Sequence, residues 1–462
     1  MNGTEDTLSF PAGAVPWIAQ RTGGRVLGIE RMSVRREAWR ALVDDGSGTP
    51  RSYFLRIDRE LAAGRPYPRD LERETALIEY LSTRTGIPTQ RILGWNPEHA
   101  VAIQSFEPGR ADLHNAPRDE QHDVMMHFMD IMAEMHRIDI GELALPRFDV
   151  PSTPEEHSLM ELRAVDDPRL ATLPIDSSTI LGAFGRRWLV NHVPRHVERT
   201  VLLQGDTGPG NFLFADHRVT AVVDWEWAHY GDPMEDVGNL WLRDYFTPSC
   251  QGDLTPYVRH YASKAGVTLD RQKAIYYLVH LLVRSVLTMP VLVRLGDWKS
   301  TLALNLGYQA VCDIACCEAI GLYHGLDEEP VEAAVPAATG DGDELHELLA
   351  RQLELGVAPE LPEGFAKLTA AGGALIARYL ARRQRHGAAA DALERQGIEA
   401  ILGRRFADLR DARHALASVL PELDEADEIR VLRHCSAVAR RNMQLMEPLV
   451  ARWSYCKLAT LC

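Results

Sequence analysis

Apolar residues recur along this chain with two different spacings, and the change from one to the other divides it. Between positions 23 and 56, VLGIERM, EAWRALVDD and RSYFLRI are short runs of aliphatic, β-branched and aromatic residues, with the turn formers GSGTP between the last two. Such runs predict strands, and the turn predicts a hairpin. Residues 70–81 (DLERETALIEYL) place Leu71, Ile78 and Leu81 on one side with charges elsewhere, the helical pattern. IPTQRILGW and AVAIQSF predict two more strands before Glu107, Pro108 and Gly109 break the pattern. A small mixed lobe over residues 1–104 is expected.

Beyond it the helical period dominates. Residues 119–138 form a Met-rich pattern with a core stripe at Val124, Phe128, Ile131 and Met135, and His136 near its end is expected to be structural. A Pro-rich polar connection is expected at 146–174, then helices at 178–193, 257–265, 271–293 and 302–323, so a large lobe over 105–325 is mainly α. Residues 326–343 (LDEEPVEAAVPAATGDGD) read as an exposed linker. In 344–462, ELHELLARQLEL, GALIARYLARRQRH, RQGIEAILGRRFADL and a final run at 424–452 predict a helical bundle. Its apolar faces suit association, including a homodimer, or covering of the active site.

Composition narrows the function classes. A chain of 462 residues that is 46% hydrophobic can bury a large core and has room for about two to four domains. A net charge of −15 and a pI near 5.6 argue against general binding to nucleic acid or anionic membrane. The seven cysteines are an odd number, mostly late in the chain, and the start has no charged segment followed by an apolar block. A reduced, cytoplasmic protein is expected. Cys312, Cys316 and Cys317 read as a buried helix face, since no further His or Cys stands near to complete a zinc set. The apolar run at 274–293 contains His280, Arg284 and Pro290, which favours a core helix over a membrane span.

The chemistry is concentrated in residues 201–238, VLLQGDTGPGNFLFADHRVTAVVDWEWAHYGDPMEDVG. An apolar run leads into a Gly-rich loop carrying Asp206, and two strand-like runs meet at a turn near Asp216 and His217. A hairpin there brings Asn211 at one end and Asp224 at the other together. Phosphoryl transfer needs such groups: a carboxylate to take the attacking hydroxyl's proton, and an amide and a second carboxylate to hold magnesium. Asp, Gly and Asn also favour turns for local reasons, so the loop alone leaves a structural reading open.

QGDTGPGNFLF followed by VVDWEWAHYGDPMEDVG strongly resembles the aminoglycoside phosphotransferase family, whose fold is like that of protein kinases. The resemblance runs from about residue 23 to residue 323. It implies an α+β bilobal kinase-like fold followed by a C-terminal helical domain, and an enzyme that uses ATP or GTP with Mg2+. Asp206 becomes the catalytic base, Asn211 and Asp224 the magnesium ligands, and Asp232 and Asp236 structural anchors. Arg56 stands where the family contacts the α and β phosphates, with Glu74 as its ion-pair partner, or Glu72 if the helix is rotated. Residues 103–109, with Gln104 and Phe106, become the hinge against the nucleotide base. The turn SVRREAW, with Ser33, Arg35 and Arg36, becomes the cover over the phosphates.

The sequence departs from the family pattern in three places. Gln204 replaces the His before Gly-Asp; its amide can both donate and accept hydrogen bonds. No lysine precedes Lys264, so Arg56 must grip phosphate, with a different geometry from an ammonium. SVRREAW lacks the glycines that let backbone approach phosphate, leaving Arg35 and Arg36 either as compensating charges or as a solvated turn. For the acceptor, the layout is similar to the branch found alone or fused to acyl-CoA dehydrogenases, which implies a hydroxyacyl-CoA. An aminoglycoside, another antibiotic or a sugar is the alternative, and a catalytically inactive nucleotide-binding module is the alternative to an enzyme.

Overall fold

A computed structural model of the chain describes residues 10–32, 37–64, 69–143, 145–164, 167–296, 301–326 and 344–462. They divide into two compact units. One comprises Met1–Pro151, Glu198–Leu269 and Ala459–Cys462; the other comprises Ser152–Val197 and Asp270–Leu458.

The first unit opens with an antiparallel sheet of five strands, β1 (Arg25–Arg31), β2 (Ala38–Asp44), β3 (Arg51–Ile57), β4 (Ile92–Asn96) and β5 (Val101–Ser105), in the order β1-β2-β3-β5-β4. Side chains alternate across a strand, so Trp39, Ala41 and Val43 of β2 meet Leu55, Ile57, Val101 and Ile103 in one apolar cluster. The helix Leu71–Arg84 begins where the Asp70 carboxylate accepts the Arg73 N–H at 3.1 Å, and it buries Leu77, Ile78 and Leu81. Arg73 and Glu74 are buried beside them, an arrangement that an amphipathic pattern does not explain and the site does.

Two short ladders complete this unit. The first pairs β6 (Val201–Leu203) with β9 (His229–Gly231), and the second pairs β7 (Phe212–Ala215) with β8 (Arg218–Val222). The second hairpin turns at Asp216 and His217, both with positive φ (48° and 63°), the conformation a two-residue loop between twisted strands demands. Three-residue β9 carries too little pattern to be read from sequence. The helix Arg118–Met135 buries Val124, Phe128, Ile131 and Met135 as its stripe predicts.

The second unit is helical. The expected connection at 146–174 contains a helix, Pro154–Ala164, because a proline at the first helical position starts a helix rather than breaking one. The apolar helix Arg271–Leu295 packs against Ser177–Asn191 and Leu302–Tyr323, with His280 and Arg284 buried. Among the described residues it is the one helix long and apolar enough to cross a membrane. Cys312, Cys316 and Cys317 are buried on Leu302–Tyr323.

Two of the expected late helices are one. Phe365–Leu402 runs unbroken for 38 residues and stops where Gly403 takes φ 66°, so GRRFADL lies across a helix end rather than inside a helix. The helices at 177–191 and 271–323, assigned from sequence to the large lobe, form one unit with those after 344. Leu302–Tyr323 packs on both Phe365–Leu402 and Glu425–Leu445. A Cβ at Gly307 would lie 2.5 Å from the ring of Trp453, in the short turn Ala451–Trp453 that also packs closely on this helix. Residues 327–343 of the expected linker lie outside the described residues.

Candidate active site

The loop after β6 is shaped by one buried carboxylate and one glycine. Asp236, fully buried on the helix Pro233–Phe246, accepts the main-chain N–H groups of Gln204 (3.0 Å) and Gly205 (3.1 Å). His136 Nε2 lies 3.1 Å from the same carboxylate, and His136 Nδ1 lies 2.7 Å from the Tyr261 hydroxyl. Such a satisfied cluster fixes the chain's path. Gly205 has φ 79°, and a Cβ there would lie 2.1 Å from the Trp227 carbonyl oxygen. Gln204 Nε2 donates to the Val223 carbonyl at 2.9 Å, tying this loop to the residue before Asp224. Asp232 caps its helix by accepting the Met234 N–H at 2.9 Å.

Asp206, Asn211 and Asp224 are assembled on this frame. Asn211 Nδ2 donates to Asp206 Oδ2 at 2.6 Å and to the Asp206 carbonyl at 2.7 Å. The Val223 N–H donates to the Asn211 carbonyl at 2.9 Å, which brings Asp224 alongside. Asp224 itself sits at φ 64°, ψ 61°, an uncommon place for a residue with a side chain. Its neighbours hold it there: Val222 N–H donates to the Pro88 carbonyl at 2.8 Å, and the Trp225 indole donates to Thr89 Oγ1 and the Val222 carbonyl, both at 3.1 Å. A backbone outlier over-determined by its surroundings is a common property of functional sites.

Across from them, Arg56 of β3 lies 3.3 Å from Glu74 and 3.5 Å from Glu226. Glu72 points elsewhere, with Arg147 Nη2 at 2.9 Å from its carboxylate, so the helix presents Glu74 to Arg56. Arg56, Glu74, Gln104, Phe106, Asn211 and Asp224 all line one cleft of about 330 Å³. Gln104 is 1% exposed and its Nε2 has no hydrogen-bond partner among the described residues, leaving a buried donor at the cleft wall. Ser33, Arg35 and Arg36 lie outside the described residues. Asn211 and Asp224 offer an amide oxygen and a carboxylate, the hard oxygen donors a magnesium ion takes, so the donor set fits that ion.

Three residues escaped the sequence reading. Arg243 Nη2 donates to Asn211 Oδ1 at 3.0 Å, Nη1 lies 3.6 Å from Asp206 Oδ2, and Nε donates to the Pro209 carbonyl at 3.1 Å. It stands two helical turns beyond Asp236, and that spacing was the available signal. Arg73 donates to the Ala228 carbonyl and lies over the Phe148 ring, and burial, then neighbouring Arg147, bring its guanidinium down to about 10. Arg69 stacks on Trp227, 4.2 Å from the ring centroid. With the Arg56–Glu226 contact, arginines thus clasp three of the four residues after Asp224. A planar guanidinium can stack and bond at once, as an ammonium cannot.

The model of the phosphotransferase enzyme family matches residues 35–273, more than half of the chain. The chain is 24% identical over 231 residues to acyl-CoA dehydrogenase family member 10 of Mus musculus, an alignment covering 45% of this chain and only 20% of the mouse protein's length. A provisionally assigned aminoglycoside phosphotransferase from Ralstonia eutropha JMP134 superposes with a TM-score of 0.52 at 18% identity, over 69% of this chain and all of that one, which matches the expected kinase-like fold. A thermostable mutant of the aminoglycoside phosphotransferase APH(4)-Ia, in ternary complex with ADP and hygromycin B, gives a TM-score of 0.45 at 16% identity, over 66% of this chain and 98% of its own.

Proposed function

The chain belongs to the phosphotransferase enzyme family, and from that membership we propose that it moves the γ-phosphate of ATP or GTP to a hydroxyl of a small molecule, with magnesium. One observation carries the reading: Arg56 paired with Glu74, and Asn211 beside Asp224, line the same cleft, with Asp206 hydrogen-bonded to Asn211.

Asp206 takes the proton of the acceptor hydroxyl as the new P–O bond forms and the bond to the β-phosphate breaks. Arg56, oriented by buried Glu74, holds the α and β phosphates. Gln104 and Phe106 meet the base. Asn211 and Asp224 would hold magnesium, which draws off negative charge from the phosphates when bound. Asp236, Asp232 and Gln204 position the loop without touching substrate. The acceptor we favour is a hydroxyacyl-CoA, on the strength of the match to a stretch of acyl-CoA dehydrogenase family member 10.

With magnesium and ATP or GTP, the purified chain should phosphorylate at least one member of a panel of hydroxyacyl thioesters, sugars and aminoglycosides, read by mass spectrometry. Asp206→Ala should reduce transfer by about 10²–10⁴-fold while nucleotide still raises Tm. Undiminished transfer in that variant would remove Asp206 from the role. Nucleotide binding with no turnover against the whole panel would favour an inactive binding module, and turnover confined to sugars or aminoglycosides would exclude the thioester.

A further inference from the structure

Three side chains of the helical unit converge at helix ends. His192 follows Ser177–Asn191, His324 follows Leu302–Tyr323, and Glu428 lies in the first turn of Glu425–Leu445. Nε2 of each histidine lies 3.5 Å from Glu428 Oε1, and one ligand atom from each of the three residues lies within 4.8 Å of the others.

The hydrogen bonds around the cluster determine where its protons are. His192 Nδ1 is 2.8 Å from the Trp188 carbonyl oxygen, which can only accept, so Nδ1 carries a proton and, in the neutral ring, Nε2 keeps its lone pair. The Trp188 indole N–H, which can only donate, lies 2.9 Å from His324 Nε2, so that nitrogen is bare as well. Glu428 Oε2 accepts from Arg187 Nη1 at 2.8 Å, leaving Oε1 toward the imidazoles. The His192 Nε2 and Glu428 Oε1 lone pairs thus face one another, while that of His324 Nε2 is taken up by the indole N–H. Both histidines also stand at helix C-termini, the negative ends of the helix dipoles. A cation at their centre relieves the repulsion.

We propose that His192, His324 and Glu428 bind a divalent transition-metal ion of the zinc type, which fastens the helix Glu425–Leu445 to two helices that precede residue 326. Two imidazoles and one carboxylate suit zinc better than magnesium or calcium, which take oxygen ligands. Donor atoms around a tetrahedral zinc, with bonds of about 2.0–2.1 Å, stand about 3.3 Å apart, so the two 3.5 Å separations from Glu428 need little change and the imidazole nitrogens, within 4.8 Å of each other, draw together. The Trp188 carbonyl orients one imidazole and Arg187 orients the carboxylate, as outer partners of a metal site do. At His324 the ion takes the place of the indole N–H. The histidine side chains are 21% and 13% exposed, enough to leave a route in and a fourth position for water.

The test uses the full chain, stripped with chelator and dialysed against Zn2+ or Co2+ with Mg2+ in excess. Wild type should retain one ion per chain, with the intense visible absorption of tetrahedral Co2+. His192→Ala and His324→Ala should each weaken binding by more than about 100-fold, while Asp224→Ala, at the separate cleft, should leave it unchanged. Retention of the ion by the double histidine variant, as cysteine binding would give, overturns the proposal. So does stripped wild type that takes up no ion and whose His192 carries a proton on Nε2 by nitrogen NMR, a proton then doing the cation's work. If a variant fails to fold, the nitrogen NMR shifts of His192 and His324 Nε2 on Zn2+ uptake by wild type decide the matter.

Discussion

The cleft between Arg56 and Asp224 and the His192–His324–Glu428 cluster gather polar groups by opposite means. In the cleft, the backbone bends to present them: Gly205 at φ 79° and Asp224 at φ 64° stand where most side chains do not go. In the cluster the groups sit at the ends of regular helices, with no residue of the cluster at positive φ, and their meeting depends on how three helices pack. A site made by bending is vulnerable to a single added atom. A site made by packing is vulnerable to volume and register, and tolerates small changes along its helices.

The largest effect expected from this contrast is at Gly205. In Gly205→Ala the new Cβ would meet the Trp227 carbonyl at 2.1 Å in a backbone conformation that alanine resists. Relieving the clash moves an N–H that Asp236 needs. We expect a loss of about 4 kcal/mol or more, with phosphotransfer abolished even where the variant remains folded. Gly387→Ala, within the long helix, is the control: its Cβ would meet only the flexible Arg383 side chain at 3.1 Å, and the helix gains up to about 1 kcal/mol. Urea midpoints of the two variants measure the difference, and equal losses would refute it.

The same contrast explains what the sequence disclosed. Asp206, Asn211 and Asp224 lie within one short stretch, on a loop and hairpin whose turn residues announce themselves, so their meeting was legible. Arg56 and Glu74 were legible only through the family resemblance, which left Glu72 as the alternative until the pairing of Glu72 with Arg147 is seen. Arg243 was hidden because a single arginine on an apolar helix looks like a surface residue until the glycines at 208 and 210 are seen to open space for it. A Cβ at Gly210 would lie 2.7 Å from Arg243 Nη2. His192, His324 and Glu428 come from three distant helices, and no local spacing links them. The helix at 154–164 was hidden within a stretch that reads as Pro-rich and polar, and the continuity of Phe365–Leu402 was hidden because the small-residue stretch GAAADALE separates its two clearly periodic runs.

A packed helical unit should also reveal itself through a buried charge. Asp313, on Leu302–Tyr323, is pushed up to about 7 by burial, against the opposing effect of the Ser178 hydroxyl that donates to it. Its ordinary value is 3.8. Below that pH both folded and unfolded chains hold the proton. As pH rises from about 4 to 7 the unfolded chain releases it and the folded chain does not, so stability falls, by at most about 4 kcal/mol. His434 acts in the opposite sense. Burial, then Arg441 and Arg413, bring it down to about 4 from 6.5, so its contribution is lost as pH falls through that range. Total stability can therefore look flat. The difference between wild type and Asp313→Asn isolates the acid: the variant should gain on wild type steadily from pH 4 to 7 in urea unfolding, and a constant difference would show that Asp313 ionises freely.

The smallest effect, and the one that sharpens the picture of the cleft most, is at Arg243. Its guanidinium reaches Asn211 Oδ1 at 3.0 Å, the Pro209 carbonyl at 3.1 Å and Asp206 Oδ2 at 3.6 Å, so it spans the proposed base, a proposed metal ligand and the loop between them. If it acts by geometry, three separately directed contacts are required and a lysine cannot supply them. If it acts only by charge, a lysine suffices. Because it touches neither the Arg56 wall nor Gln104, it should leave nucleotide affinity alone. We therefore expect both Arg243→Gln and Arg243→Lys to lower kcat by about 10–100-fold, the scale for a misplaced catalytic group, with the KM for nucleotide little changed. Recovery of kcat in Arg243→Lys would reduce Arg243 to a counter-charge. A rise in KM at constant kcat would instead move Arg243 to the nucleotide's own binding surface.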